Sequence, residues 1–182
     1  MSMGRGLFYL RLAQRAAARV IAPARDHEAT AIDRAMMQRA LDLAREAGAM
    51  GEVPVGAVVY RGDEVVGEGF NRREVDQDPS AHAEHIAMLD ASRRLGSWRL
   101  DGCSLAVTLE PCAMCAGLIV NARVPRVVYG ARDPKAGFAG SLGNLLVDER
   151  LNHRVRPIAG VLDRESSELL KRFFAELRKR KR

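Results

Sequence analysis

The chain has 182 residues, 47% hydrophobic and 29% charged, a balance that fits one ordinary globular domain and excludes a disordered or collagen-like polymer. No apolar run is long enough to span a bilayer, so no membrane association is expected. Three cysteines, Cys103, Cys112 and Cys115, are too few for a disulfide framework and point to a reducing, cytoplasmic setting.

The net charge of +6 is concentrated at the ends of the chain. Residues 1–25 carry five arginines and no acid, and residues 169–182 carry seven bases against Glu176. The remainder holds 17 bases against 22 acids, so the overall basicity is a weak argument for a nucleic-acid groove in the body of the protein. The basic tail could attract phosphates non-specifically, or it could simply be the solvated end of a helix whose dipole favours cations.

Residues 1–25 are rich in Ala and Arg and read as a dispensable, disordered or partly helical extension preceding a domain over 26–182. Thr30-Ala31-Ile32-Asp33 has the form of a capping box. Ile32, Met36, Ala40, Leu43 and Ala47 then recur at helical spacing until Gly48. Pro54 to Tyr60 reads as a buried strand, Arg61-Gly62-Asp63 as a turn and Glu64 to Phe70 as the returning strand. A polar loop, Asn71 to Asp78, leads into a helix that fades near Gly96. A strand from Ser104 to Leu109 is followed by a helix from Pro111 to about Asn121 and a strand from Arg126 to Tyr129.

A helix between two strands allows parallel pairing by a crossover, so the sheet should be mixed. Asp133 to Gly143, with three glycines, reads as a loop near a site. Leu142 to Leu151 is expected as a short helix, Val155 to Val161 as a last strand, and Asp163 as the start of a final helix with an apolar face of Leu169, Leu170, Phe173, Phe174 and Leu177. The expected product is an α/β fold, a three-layer α/β/α sandwich with a mixed sheet of about five strands.

Two stretches carry the chemistry. His82-Ala83-Glu84 and Pro111-Cys112-Ala113-Met114-Cys115 supply an imidazole, two thiols three residues apart and a carboxylate that need not touch a metal. This is the H-x-E and P-C-x-x-C pattern of zinc-dependent nucleobase deaminases. Removing an amino group from a ring by hydrolysis needs hydroxide at neutral pH. A zinc ion held by three ligands keeps a fourth position for water and lowers its pKa to about 7. His82, Cys112 and Cys115 are the expected ligands, and Glu84 the general acid/base that relays protons. Both cysteines would lie near a helix N-terminus, where the dipole favours thiolate. A competing arrangement uses His85, three residues after His82, to close a four-ligand structural site.

The likeness extends beyond the metal motif. Glu52-Val53-Pro54-Val55-Gly56-Ala57, Gly69-Phe70-Asn71-Arg72, His82-Ala83-Glu84, Thr108 to Gly117, Gly130 to Gly137 and Leu151-Asn152-His153-Arg154-Val155 occur in order. Together they resemble the bacterial tRNA-specific adenosine deaminases over roughly residues 30–180. The resemblance implies the cytidine-deaminase-like fold, one zinc ion per subunit, a homodimer, and conversion of the wobble adenosine of a tRNA anticodon stem-loop to inosine. It also implies that Asn71, with Ala83 and Pro111, contacts the substrate. His85 and Phe138 depart from the family pattern, and Phe138 would crowd the entrance or stack on a base. Two alternatives stand beside this reading: a deaminase of free bases or nucleosides such as guanine or cytosine, and a non-catalytic, zinc-stabilised RNA-binding protein.

Overall fold

The computed structural model describes residues 24–180, so the expectation for residues 1–23 lies outside the described residues. A two-residue strand β1 (Ala24–Arg25) and a single 3₁₀ turn (Asp26–Glu28) lead to Thr30. There the predicted capping box forms: Thr30 Oγ1 accepts from the Asp33 N–H at 3.1 Å, and an Asp33 carboxylate oxygen accepts from the Thr30 N–H at 2.7 Å. Helix α1 (Ala31–Ala49) follows, burying Met36, Ala40, Leu43 and Ala47 as the spacing requires, whereas Ile32, in the first turn, stays exposed.

Strands β2 (Gly56–Arg61) and β3 (Glu64–Phe70) form the predicted hairpin, turning at Gly62 with φ of 61°. A single helical turn α2 (Arg73–Asp76) sits inside the polar loop. Then come α3 (Ala83–Leu95), ended by Gly96 in the left-handed region, β4 (Ser104–Leu109), α4 (Ala113–Asn121), β5 (Arg126–Ala131), β6 (Arg156–Ala159) and α5 (Asp163–Arg180).

The sheet runs β1-β6-β5-β4-β2-β3. β2 is antiparallel to both neighbours, while β4, β5, β6 and β1 are mutually parallel, so the mixed sheet forms as expected. It has six strands where about five were expected. The sixth is β1, whose backbone pairs with Ile158 and Ala159 although the sequence assigned it to the extension. Strand alternation divides the core into two layers. Ala57, Val59, Leu105, Val107, Val127 and Tyr129 face Ala83, Ala87, Ala116 and Ile119 of α3 and α4. On the other face, Val58, Tyr60, Ala106, Val128 and Ile158 pack with Met36, Met37, Ala40 and Leu43 of α1. The three-layer α/β/α sandwich is therefore the observed fold.

One further expectation is corrected. Leu142 to Leu151 is a run of turns and bends, not a helix: the Leu146 carbonyl accepts from the Val155 N–H at 2.7 Å and the Arg150 N–H turns to the Asp148 carboxylate at 3.0 Å, so the bond a helix would make between Arg150 and Leu146 is replaced. In α5 the apolar face is only partly covered, with Phe174 and Leu177 exposed. Among the described residues no helix is long and apolar enough to cross a membrane.

Candidate metal centre and active-site pocket

β3 is antiparallel to β2, which is antiparallel to β4, so the C-terminal ends of β3, β4 and β5 share one edge of the sheet. The three following loops therefore converge, the usual site-forming arrangement of an α/β sheet. The first delivers Asn71, His82 and Glu84, the second Cys112 and Cys115, and the third Asp133 and Ala136. They enclose a cavity of about 210 Å³ lined by Asn71, His82, Ala83, Glu84, Cys112 and Asp133, among others.

His82 and Cys112 are each the N-cap of the helix that follows, α3 and α4 respectively. Pro111 lies one position before the cap and not inside the first turn, but both cysteines still sit at a helix N-terminus as predicted. His82 Nδ1 lies 3.7 Å from Cys112 Sγ and 3.6 Å from Cys115 Sγ, and all three donor atoms fall within 4.8 Å of one another. A tetrahedral ion with a Zn–N bond of about 2.05 Å and a Zn–S bond of about 2.3 Å needs N and S about 3.6 Å apart, so the donors are spaced to hold such an ion. One imidazole and two thiols also form a donor set of the softness that zinc accepts.

His85 is not part of this group. Its Nδ1 pairs with the Ser80 carbonyl at 2.8 Å. His82 precedes the helix, so the three-residue spacing does not put the two imidazoles on one helical face. The four-ligand arrangement is not assembled.

The electrostatics follow from burial and hydrogen bonding. Burial pushes the Glu84 carboxyl up to about 7, reinforced by the negative charge on Cys112 and opposed by a backbone hydrogen bond and by His82. The hydrogen bond from the Cys115 thiol, helped by His82, holds Cys112 down at about 4 against the opposing effect of burial. Cys115 moves upward because it donates to Cys112 and is itself buried. Pairing with Cys112 raises His82. The centre is thus primed with a thiolate, and with a carboxyl able to take up or release a proton near neutrality.

Of the three residues that the resemblance assigns to substrate contact, Asn71 and Ala83 line the cavity and Pro111 does not; the Pro111 carbonyl is occupied by the Phe138 N–H at 2.8 Å. Phe138 packs on the core and is not among the residues lining the cavity. His153 Nε2 pairs with the Val124 carbonyl at 3.0 Å, and Asn152 accepts from Arg123 at 2.6 Å, so both tie the chain to the turn after α4.

Glu52 and Glu110 stand within the sequence motifs but carried no role there, and the fold buries both. Glu110 accepts from the N–H groups of Asp133 (3.0 Å), Ala139 (3.1 Å) and Ser141 (2.8 Å), and from the Ser141 hydroxyl, so it pins the glycine-rich loop beside the cavity. Gly137 crosses close above it: an added Cβ would lie 2.4 Å from the Glu110 carboxyl carbon. Glu52, fully buried, accepts from the Val75 N–H at 2.7 Å and from Asn71 Nδ2 at 2.8 Å. The available signal was an acid embedded in, or flanking, an otherwise apolar strand, which is costly unless its oxygens are satisfied.

A mixed α/β/α sandwich that sets a His-Cys-Cys donor group against a buried carboxyl at the C-terminal edge of its strands defines a hydrolytic deaminase. The MafB19-like deaminase family matches residues 31–178. The tRNA-specific adenosine deaminase of Bacillus subtilis is 47% identical over 150 residues, 82% of this chain and 93% of that one. The enzyme of the same name from Haemophilus influenzae is 44% identical over 82% of this chain and 87% of its own. A solved structure from studies of A-to-I editing by tRNA:A34 deaminases at the wobble position of transfer RNA superposes with a TM-score of 0.72 at 40% identity, covering 75% of this chain and 99% of that one. A guanine deaminase from Nitrosomonas europaea gives a TM-score of 0.68 at 26% identity, covering 78% and 84%. The chain belongs to the family of tRNA-specific adenosine deaminases.

Proposed function

We propose that this protein hydrolyses the wobble adenosine, position 34, of a tRNA anticodon to inosine, with zinc held by His82, Cys112 and Cys115. The observation that carries the reading is the donor triangle, spaced for a tetrahedral ion, with the Glu84 carboxyl buried beside it. The names of the 42–47% identical relatives support the substrate. When bound, the ion supplies a Lewis acid that activates water at neutral pH.

The chain's own groups do the rest. Glu84 accepts a proton as water adds to the ring carbon and passes it to the ring nitrogen; it then takes the second proton from the new hydroxyl and delivers it to the departing amine, so that the carbonyl forms, the C–N bond breaks and ammonia leaves. Its carboxyl, poised near neutrality, suits both directions of transfer. Asn71 orients the base edge, and Ala83 offers a small apolar wall. The cavity of about 210 Å³ lies below the roughly 300 Å³ of ordinary ligand pockets, so it takes one base while the rest of the nucleotide stays outside. A base in an anticodon loop can enter without opening a duplex.

Incubation with total tRNA, followed by mapping of inosine, tests the proposal: inosine should appear at position 34. Release of ammonia from free guanine or cytosine with no inosine in an anticodon stem-loop would overturn it in favour of a free-base deaminase, a fold relationship that the guanine deaminase neighbour makes concrete. Glu84→Gln should lower turnover by at least about 10²-fold while zinc content stays unchanged; undiminished turnover would remove Glu84 from the mechanism. The same reading takes the protein as a cytoplasmic homodimer, for which sedimentation should report twice the mass of one chain.

A further inference from the structure

Asn71 lines the cavity, and Glu52 stands behind it, buried and absent from the cavity wall. One Glu52 oxygen accepts from the Val75 N–H, and the other meets the Asn71 side-chain amide at 2.8 Å. An amide can turn either its oxygen or its nitrogen towards a neighbour, and the two orientations have nearly the same shape. Against a carboxylate oxygen only the nitrogen can be turned inward, because two facing acceptors repel. The Asn71 backbone is held as well, its N–H bonded to the Val55 carbonyl at 2.9 Å, so the residue has little other freedom.

We infer that Glu52 is a positioning residue that fixes the polarity of Asn71, so that its carbonyl oxygen presents an acceptor to the bound base. The inference rests on the substrate role proposed above for Asn71 and adds how that role is set.

The chemistry predicts an inversion. A glutamine at position 52 keeps the shape but has one oxygen and one nitrogen. The Val75 N–H belongs to the backbone and cannot turn round, so the glutamine oxygen must serve it. The glutamine nitrogen then faces Asn71, whose amide must flip to offer its oxygen, which leaves its nitrogen where the cavity previously met an acceptor. The exchange pair Glu52→Gln with Asn71→Asp restores the original polarity: the new nitrogen donates to one aspartate oxygen, and the other oxygen accepts at the cavity.

The test is steady-state deamination of an anticodon stem-loop by the full-length zinc-loaded protein, with zinc content and melting temperature recorded for each variant. Asn71→Ala should raise KM. Glu52→Gln should raise KM about tenfold, one lost hydrogen bond of moderate strength, with a smaller change in kcat. Adding Glu52→Gln to Asn71→Ala should cost nothing further, and the exchange pair should recover much of the loss seen with Glu52→Gln alone. A raised KM in Asn71→Ala beside an unchanged KM in Glu52→Gln would overturn the inference alone; an unchanged KM in Asn71→Ala would remove the substrate role of Asn71 and the inference with it. If Glu52→Gln fails to fold, the exchange pair decides: it should fold and turn over, and its failure overturns the inference.

Discussion

Asp33 and Glu84 are both carboxylates removed from water, yet their surroundings drive them in opposite directions. For Asp33, burial alone would raise the pKa, but the hydrogen bonds from Arg126, Tyr60 and Thr30 outweigh it and hold the carboxyl at about 2, below its ordinary 3.8. Arg126 is bound at 2.5 Å and the Thr30 N–H at 2.7 Å. Glu84 has no comparable set of donors, and burial prevails. The folded-state value of Asp33 lies below the unfolded one, so its contribution, about 2 kcal/mol, is complete above about pH 4 and is lost as pH falls towards 2. Acid unfolding followed by circular dichroism should show this: Asp33→Asn should lower stability by about 2–3 kcal/mol at pH 7, with the deficit shrinking as the pH approaches 2. A deficit that does not change with pH would contradict the assignment.

At the level of elements, the position of α3 depends on residues that have no side chain. A Cβ added at Gly67 or Gly69 of β3 would lie 2.4 to 2.7 Å from backbone atoms of Ala83, Ala87 or Ala91, so strand and helix pack backbone against backbone. That contact sets the height of the helix whose N-cap is His82. Gly69→Ala should therefore cost about 1–3 kcal/mol of stability by overpacking and, because it displaces the imidazole, should also weaken zinc retention in a competition with a chromophoric chelator. Unchanged zinc retention would separate the helix position from the metal site. Regular elements of this kind were legible in advance. Short apolar runs bounded by turn residues marked β2, β3 and β4, and Thr30 with Asp33 marked the start of α1. Residues 142–151 were not legible, because their leucines mimic a helical pattern while the Leu146 carbonyl is claimed by Val155 and the Arg150 N–H by the Asp148 carboxylate. β1 was hidden for a similar reason: backbone pairing leaves no side-chain signature.

Across the whole molecule, the donor triad and Glu84 could be read from spacing, because metal chemistry restricts residue type and order. Glu52 and Glu110 could not, since acids are ordinarily solvated and only the assembled structure shows donors gathered around them. His85 illustrates the converse: three residues from His82 in sequence, it is turned to the Ser80 carbonyl by the start of α3.

The convergence of three loops on one sheet edge would make an ion held by His82, Cys112 and Cys115 a cross-link as well as a reagent. Cys112 and His82 stand thirty positions apart, with α3 and β4 between them, so an ion gripping both ties the hairpin half of the chain to the parallel half. An unfolded chain offers no such preformed grip, and the affinity of the site is therefore added to the stability of the fold. Stripping the metal with a chelator should lower the melting temperature of the wild type and should have little effect on a variant in which Cys112 and Cys115 are both serine. Equal melting temperatures with and without chelator in the wild type would mean that the two halves hold together unaided.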